Sequence, residues 1–182
     1  MRIYWAARDI NGNNIGNHHF ILIEFEEDEE KFSRYNIKYA KDRRFLTIAA
    51  FADKNENIVV ALNDHNDVKS VLEDFDPDTY ADPDAWFDFS LALNELNMLP
   101  PNDMTMREFA ELLLRLTENF HRNSQTNPVK YTLTNENCAT YVNSLFKAAG
   151  VSEKDRTRLG EFLGIDWGEE DLLPMELFEP VK

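Results

Sequence analysis

Strand-type and helix-type patterns occupy different parts of this 182-residue chain. Short apolar, β-prone segments recur before residue 64, and strongly periodic helical segments follow residue 105. The predicted strands cover residues 2–9, 18–27, 37–40, 45–52 and 57–64. Strands followed by helices are typical of an α+β fold. With 43% hydrophobic residues the chain can form a proper core, so we expect a single α+β domain over residues 1–182.

The segment 64–101 is acidic and interrupted by proline, with DFDPDTYADPD at its centre. Helical pieces are expected at 67–74 and 84–97 within it. The acidic run lacks the glycine and the closing glutamate of an EF-hand loop, which favours a solvated loop over a calcium site. We therefore expect this segment to be an acidic insertion or a lid.

Helical signals dominate the second half of the chain. Thr105 and Glu108 form a capping box, which predicts a helix from Met106 to about His121 with one apolar face. The segment 129–133 (VKYTL) is predicted to be a strand. A second helix is expected to begin at Cys138 and to stop at Gly150, after an N-cap at Asn137 or Asn135. The remaining expectations are a third helix after Ser152 and a packed, irregular tail over 162–180.

The formal net charge is −15, from 34 acidic and 19 basic residues. Such a field repels phosphate backbones and anionic membranes, so neither nucleic acid nor lipid headgroups are expected partners, whereas a basic protein partner remains possible. A single cysteine excludes an internal disulfide and a cysteine-rich zinc site. No secretory signal and no run of about 18 apolar residues is present. We expect a cytoplasmic protein without a membrane span, or one exported by a signal-peptide-independent route.

Cys138 occupies a position that suits a nucleophile. In the first turn of a helix, unpaired backbone N–H groups and the helix dipole favour a thiolate over a thiol. The same N–H groups can donate to an oxyanion on a carbonyl under attack. The competing interpretation is an inert packing cysteine, because Cys138 shares the apolar stripe of Val142, Leu145 and Ala149.

His18 and His19 are the candidate general bases, because they stand at the start of an apolar strand. His19 shares a fully apolar face with Ile21, Ile23 and Phe25, which makes that face the better candidate to lie under the cysteine helix. His19 is therefore preferred and His18 is kept as the alternative. Adjacent strand residues point to opposite faces, so the pair is not expected to bind a metal, and no cofactor is expected.

The early HHFILIEF strand and the late NCATYVNSLFKAAG helix resemble the circularly permuted NlpC/P60-like papain fold, which includes the lecithin:retinol acyltransferase-like proteins. The resemblance implies an antiparallel sheet packed against a helix that begins with the cysteine. It implies that Cys138 attacks an amide or ester carbonyl and that His19 or His18 takes and returns the proton. A third polar residue on a neighbouring strand would orient the histidine, and Thr47 or Asn63 are the candidates. Substrates in this group include cell-wall peptides, lipid esters and protein amides.

Two functions from different classes follow. The first is a cysteine amidase or peptidase acting on a peptide or another amide-bearing substrate, with a bacterial peptidoglycan-cleaving effector as its narrower form. The alternative is a non-catalytic acidic binding or immunity-type module that recognises a basic protein partner, which the net charge of −15 favours.

Overall fold

The computed structural model describes residues 1–10, 17–26, 30–40, 43–74, 91–96, 100–132, 137–160 and 171–180. These residues form an α+β fold with a six-stranded antiparallel sheet, which confirms the α+β class and the antiparallel sheet of the prediction. The strands are β1 (Arg2–Asp9), β2 (Asn17–Phe25), β3 (Lys38–Ala40), β4 (Arg43–Ala52), β5 (Ile58–Leu62) and β6 (Leu91–Glu95). The helices are α1 (His65–Asp74), α2 (Met106–Thr126), α3 (Cys138–Ala148) and α4 (Glu153–Gly160). Short 3₁₀ turns cover Glu30–Tyr35, Pro101–Asp103 and Met175–Phe178.

The strand order is β3-β4-β2-β1-β6, and β5 also pairs with β4. Strand β4 pairs with β2 only from Phe20 to Phe25, and β5 pairs with residues 48–52 of β4 on the edge that faces away from β2. The last three of these residues, 50–52, have no pairing with the described part of β2. The first residues of β2 pair with β1 on their other side, where Asn17 lies opposite Asp9. The two central strands therefore separate next to residues 17–19, and this is where the candidate site forms.

Alternation along β2 creates two different sheet faces. Ile21 and Ile23 belong to the main core, which they share with Tyr141 and Val142 of α3. The prediction that the His19 face lies under the cysteine helix is thus confirmed. The opposite face carries Phe20 and Leu22, which pack in a smaller cluster with Val71 of α1. The sheet is therefore covered on both faces, by α2 and α3 on one and by α1 on the other.

The helix boundaries follow their caps. Both halves of the predicted capping box between Thr105 and Glu108 are present at the start of α2. This helix runs five residues past the predicted end at His121 and stops at Thr126, just before Asn127 and Pro128. Asn137, rather than Asn135, caps α3.

Gly150 follows the end of α3 with a φ of +91°, as its predicted role as a stop requires. A Cβ at this position would come within 3.2 Å of the Pro101 Cβ. The expected third helix is α4, where Ser152 caps the first turn through its contact with Asp155.

Two predictions of secondary structure were wrong. The helix predicted over 84–97 is contradicted at Leu91–Glu95, which is strand β6 and pairs antiparallel with β1. The backbone groups at the edge of β1 need partners, and this pairing overrides the helix propensity of leucine, alanine and glutamate. Of the strand predicted over 129–133, the described residues 129–132 form only a single bridge, between Lys130 and Asn57, and residue 133 lies outside the described residues.

The predicted acidic insertion or lid over 64–101 is described only in part. Its first part is α1, which covers the sheet, and β6 is the strand at the β1 end of the sheet. Residues 75–90 and 97–99 lie outside the described residues, and they include most of DFDPDTYADPD as well as residues 84–90 and 97 of the predicted helix. In the tail, Leu173, Leu177 and Phe178 are buried. Among the described helices, none has the length and apolar character needed to cross a membrane.

Candidate active site

Cys138 is the first residue of α3, and its neighbour Asn137 holds the helix start in place. The Asn137 side chain accepts a hydrogen bond from the Thr140 backbone N–H at 3.1 Å. The Asn137 backbone carbonyl accepts a second one from the Tyr141 backbone N–H at 3.0 Å. The Cys138 side chain therefore stands at the positive end of the helix dipole. The residue is only 3% exposed, so its sulfur is surrounded by protein groups.

The Sγ atom of Cys138 faces the part of β2 from which β4 has separated. The His19 backbone N–H donates to Sγ at 3.4 Å, and the Tyr131 hydroxyl lies within donating distance at 3.9 Å. The thiol can itself donate to the Asn17 carbonyl, 3.9 Å away. Because two donors face the sulfur, its surroundings can accommodate a negative charge.

The ring of His18 interacts with the same thiol. It lies on the sheet face that α1 covers and stacks against Phe51, with ring centroids 4.5 Å apart. Its Nε2 is 3.4 Å from the Asp67 Oδ2. Burial alone lowers the pKa of His18, but its interactions with Asp67 and Cys138 outweigh burial and raise the pKa to about 9. The imidazole is therefore held as a cation beside the sulfur at neutral pH.

Asp67 is the third polar residue of the group. It lies in the first turn of α1, where a carboxylate is stabilised by the helix dipole, and it is 0% exposed. Its Oδ1 accepts a hydrogen bond from the Arg8 Nε at 2.7 Å. Arg8 lies directly opposite His18 in the β1–β2 register, so both cations reach Asp67 from the same face of the sheet.

His19, the preferred base in the sequence analysis, has its ring on the other face. The Trp5 Nε1–H donates to the His19 Nδ1 at 2.9 Å. Complete burial, with a smaller contribution from the nearby His18, lowers the pKa of His19 to about 3, so the ring is neutral. The structure therefore brings the backbone of His19 to Cys138, and it brings the ring of His18 there.

Neither strand residue considered as an orienting group is placed beside His18. Thr47 is buried on β4 opposite Leu22, and its hydroxyl has no hydrogen-bond partner within the described structure. Asn63 accepts a hydrogen bond from the Thr47 backbone N–H and donates to the carbonyls of Tyr35 and Asn36. These contacts secure the loop before β3, so both residues serve the sheet in the contacts that are described.

Asp67 and Arg8 were missed by the sequence analysis, and the available signals were weak. Asp67 lies within LNDHND, which reads as an exposed turn, and an acidic residue in a first helical turn is common for helix stability alone. Arg8 is a charged residue that directly follows the apolar run of residues 3–7 in β1, which is a signal for a buried partner. In the described part of the chain, no three His, Cys, Asp or Glu side chains are grouped so that they could hold a metal ion.

Comparison with protein families, curated proteins and solved structures finds no match to this chain.

Proposed function

We propose that this protein is a cysteine hydrolase that cleaves an amide bond with Cys138 as nucleophile, His18 as acid and base, and Asp67 as the orienting residue. One observation carries the proposal: the buried His18 ring lies 3.4 Å from the Asp67 carboxylate and interacts with the Cys138 thiol, whose sulfur accepts a hydrogen bond from the backbone N–H of the next residue, His19. A nucleophile, a base beside it and a third group that orients the base are the parts that nucleophilic catalysis requires.

In the first half of the reaction, the Cys138 thiolate attacks the carbonyl carbon of the amide. The bond between sulfur and carbon forms, and the His18 imidazolium gives its proton to the leaving nitrogen as the carbon–nitrogen bond breaks. An amine departs and a thioester remains on Cys138. Because Nε2 of His18 faces Asp67, Nδ1 is the nitrogen left for this transfer.

In the second half, neutral His18 removes a proton from water, and the resulting hydroxide attacks the thioester. The carbon–sulfur bond breaks, a carboxylic acid is released, and the thiolate–imidazolium pair is restored. Both halves pass through an oxyanion. The backbone N–H groups at the start of α3 are proposed as its donors, since the Asn137 cap uses the later amides of Thr140 and Tyr141.

The narrower proposal is a substrate among bacterial cell-wall peptides, which rests on the resemblance to the NlpC/P60-like group. The alternative function, a non-catalytic acidic module or immunity-type protein for a basic partner, is supported by the net charge of −15. A binding module does not require the side chains of Cys138, His18 and Asp67 to lie together at one buried point. The triad geometry therefore favours the hydrolase.

The test is hydrolysis by purified protein of peptidoglycan sacculi, of a set of fluorogenic peptide amides and of lipid esters, with products identified by mass spectrometry. Cleavage is expected for the parent and absent for Cys138→Ala. Asp67→Asn is expected to reduce the rate at least about tenfold, because the base loses its orienting partner. The matched control is Glu73→Gln, an exposed acid on the same helix.

Full activity in Cys138→Ala would refute the proposal. Absence of cleavage of every substrate, together with tight binding of basic proteins, would support the alternative module.

A further inference from the structure

The Asp67 carboxylate is divided between two cations. Its Oδ1 accepts a well-formed hydrogen bond from the Arg8 Nε at 2.7 Å. Its Oδ2 is 3.4 Å from the His18 Nε2, and neither of these two atoms has a hydrogen bond in the described structure. The stronger interaction of Asp67 therefore goes to Arg8, and His18 receives the weaker one.

Arg8, Asp67, His18 and Cys138 form a buried row of groups with alternating charge. The Arg8 side chain is 12% exposed and that of Asp67 is 0% exposed. When the thiolate and the imidazolium are both present, the row holds two positive and two negative charges and is neutral. Without Arg8 it would carry a net negative charge, which is unfavourable in a buried site.

The charged and titratable groups that face the His18 ring come from several elements. Arg8 approaches from β1, Asp67 from α1 and Cys138 from α3, while His19 follows it on β2. His19 is neutral, so Arg8 and Asp67 are the charged groups of this set that remain near the buried ring when the thiol is absent. A general acid must release that proton to the leaving group, so holding it too firmly slows the reaction.

We propose that Arg8 is a positioning residue, which shares the Asp67 carboxylate with His18 and so limits how tightly Asp67 holds the His18 proton. The importance of Arg8 for catalysis rests on the proposed hydrolase function, but the effect of Arg8 on the His18 ring does not. Arg8 touches neither substrate nor sulfur in this role and acts through Asp67.

The test is an NMR titration of the histidine rings in the Cys138→Ala protein, where the thiol cannot titrate alongside. Removing the cation with Arg8→Met is expected to raise the pKa of His18 by about one unit, because Asp67 then pairs with the ring alone. Asp67→Asn is expected to lower it. Arg8→Lys keeps the charge, so its His18 pKa is expected to stay close to that of the parent. Arg2→Met, at an exposed position of the same strand, is the matched control.

An unchanged or lowered pKa of His18 in Arg8→Met would overturn the proposal, because Arg8 would then only hold Asp67 in place. If Arg8→Met does not fold, Arg8→Gln gives the same comparison with a polar side chain. In protein that retains Cys138, the alkaline limb of the pH–rate profile is expected to move upward with Arg8→Met. A shifted titration without any hydrolytic activity would support the role of Arg8 and refute the proposed function.

Discussion

The backbone N–H of His19 donates a hydrogen bond to the Sγ of Cys138 at 3.4 Å. This contact exists because β4 pairs with β2 only from Phe20 onward, which leaves the edge of β2 open at the preceding residues. The neighbouring residue, His18, interacts with the same sulfur through its ring. Two consecutive residues of one strand thus serve the thiol in different ways, one by its backbone and the other by its side chain.

The first prediction concerns thiol reactivity. Cys138 is expected to react with iodoacetamide near pH 6 to 7 faster in the parent than in Asp67→Asn or His18→Gln, by about tenfold. The reason is that a neighbouring imidazolium stabilises the reactive thiolate. The measurement is the rate of mass increase at Cys138 as a function of pH.

His65→Gln is the matched control for this experiment, because His65 is exposed at the start of α1. Its alkylation rate is expected to equal that of the parent. Equal rates in the parent, Asp67→Asn and His18→Gln would show that the thiol does not depend on His18.

The second prediction concerns stability at alkaline pH. The pKa of His18 is raised from 6.5 to about 9, so the folded state holds this proton more tightly than the unfolded state. The resulting stabilisation is complete below pH 6.5 and is lost as the pH rises to about 9. The free energy of unfolding is expected to fall by at most about 1.4 kcal/mol per pH unit in this window.

Urea unfolding at several pH values measures this dependence. In His18→Gln the free energy of unfolding is expected to change less between pH 6.5 and 9 than in the parent, since the titrating group is gone. An identical slope in both proteins would contradict the raised pKa.

Local patterns were sufficient to predict most of the fold. The alternation of β2 correctly placed Ile21 and Ile23 under the cysteine helix, and Asn137 and Gly150 marked the ends of α3. Strand β6 was mistaken for a helix because its pairing with β1 is a tertiary interaction. No residue within 91–95 carries that information.

The site was predictable only in part, for a related reason. Cys138 and the two histidines could be recognised from their places on a helix and a strand. The third group lies on a helix that covers the opposite face, and Asp67 meets His18 only through the packing of α1 on the sheet. The choice between His18 and His19 depended on the gap between β2 and β4, which alternation does not reveal.

The third prediction concerns stability in acid. Burial lowers the pKa of His19 from 6.5 to about 3, so the unfolded state takes up a proton that the folded state excludes. The stability contribution of the neutral ring is present above pH 6.5 and is lost as the pH falls towards 3. His19→Gln keeps an acceptor for the Trp5 Nε1–H and does not titrate.

The His19→Gln protein is therefore expected to lose less stability than the parent between pH 6.5 and 4, as measured by urea unfolding. His65→Gln, which removes an exposed histidine, is expected to follow the parent. If His19→Gln loses stability as steeply as the parent, the ring of His19 is not the group that resists protonation.

The fourth prediction concerns the cap that holds Cys138. Asn137→Ala removes the side-chain oxygen that accepts from the Thr140 N–H, and it is expected to lower the free energy of unfolding by about 1 kcal/mol. Asn137→Ser retains a capping oxygen, so its free energy of unfolding is expected to fall much less. Thr105→Ala removes the cap of α2 at a comparable cost and serves as the control. Because Asn137 directly precedes the nucleophile, only Asn137→Ala is also expected to slow alkylation of Cys138. Equal alkylation rates in Asn137→Ala and Thr105→Ala would mean that the cap stabilises α3 without positioning the sulfur.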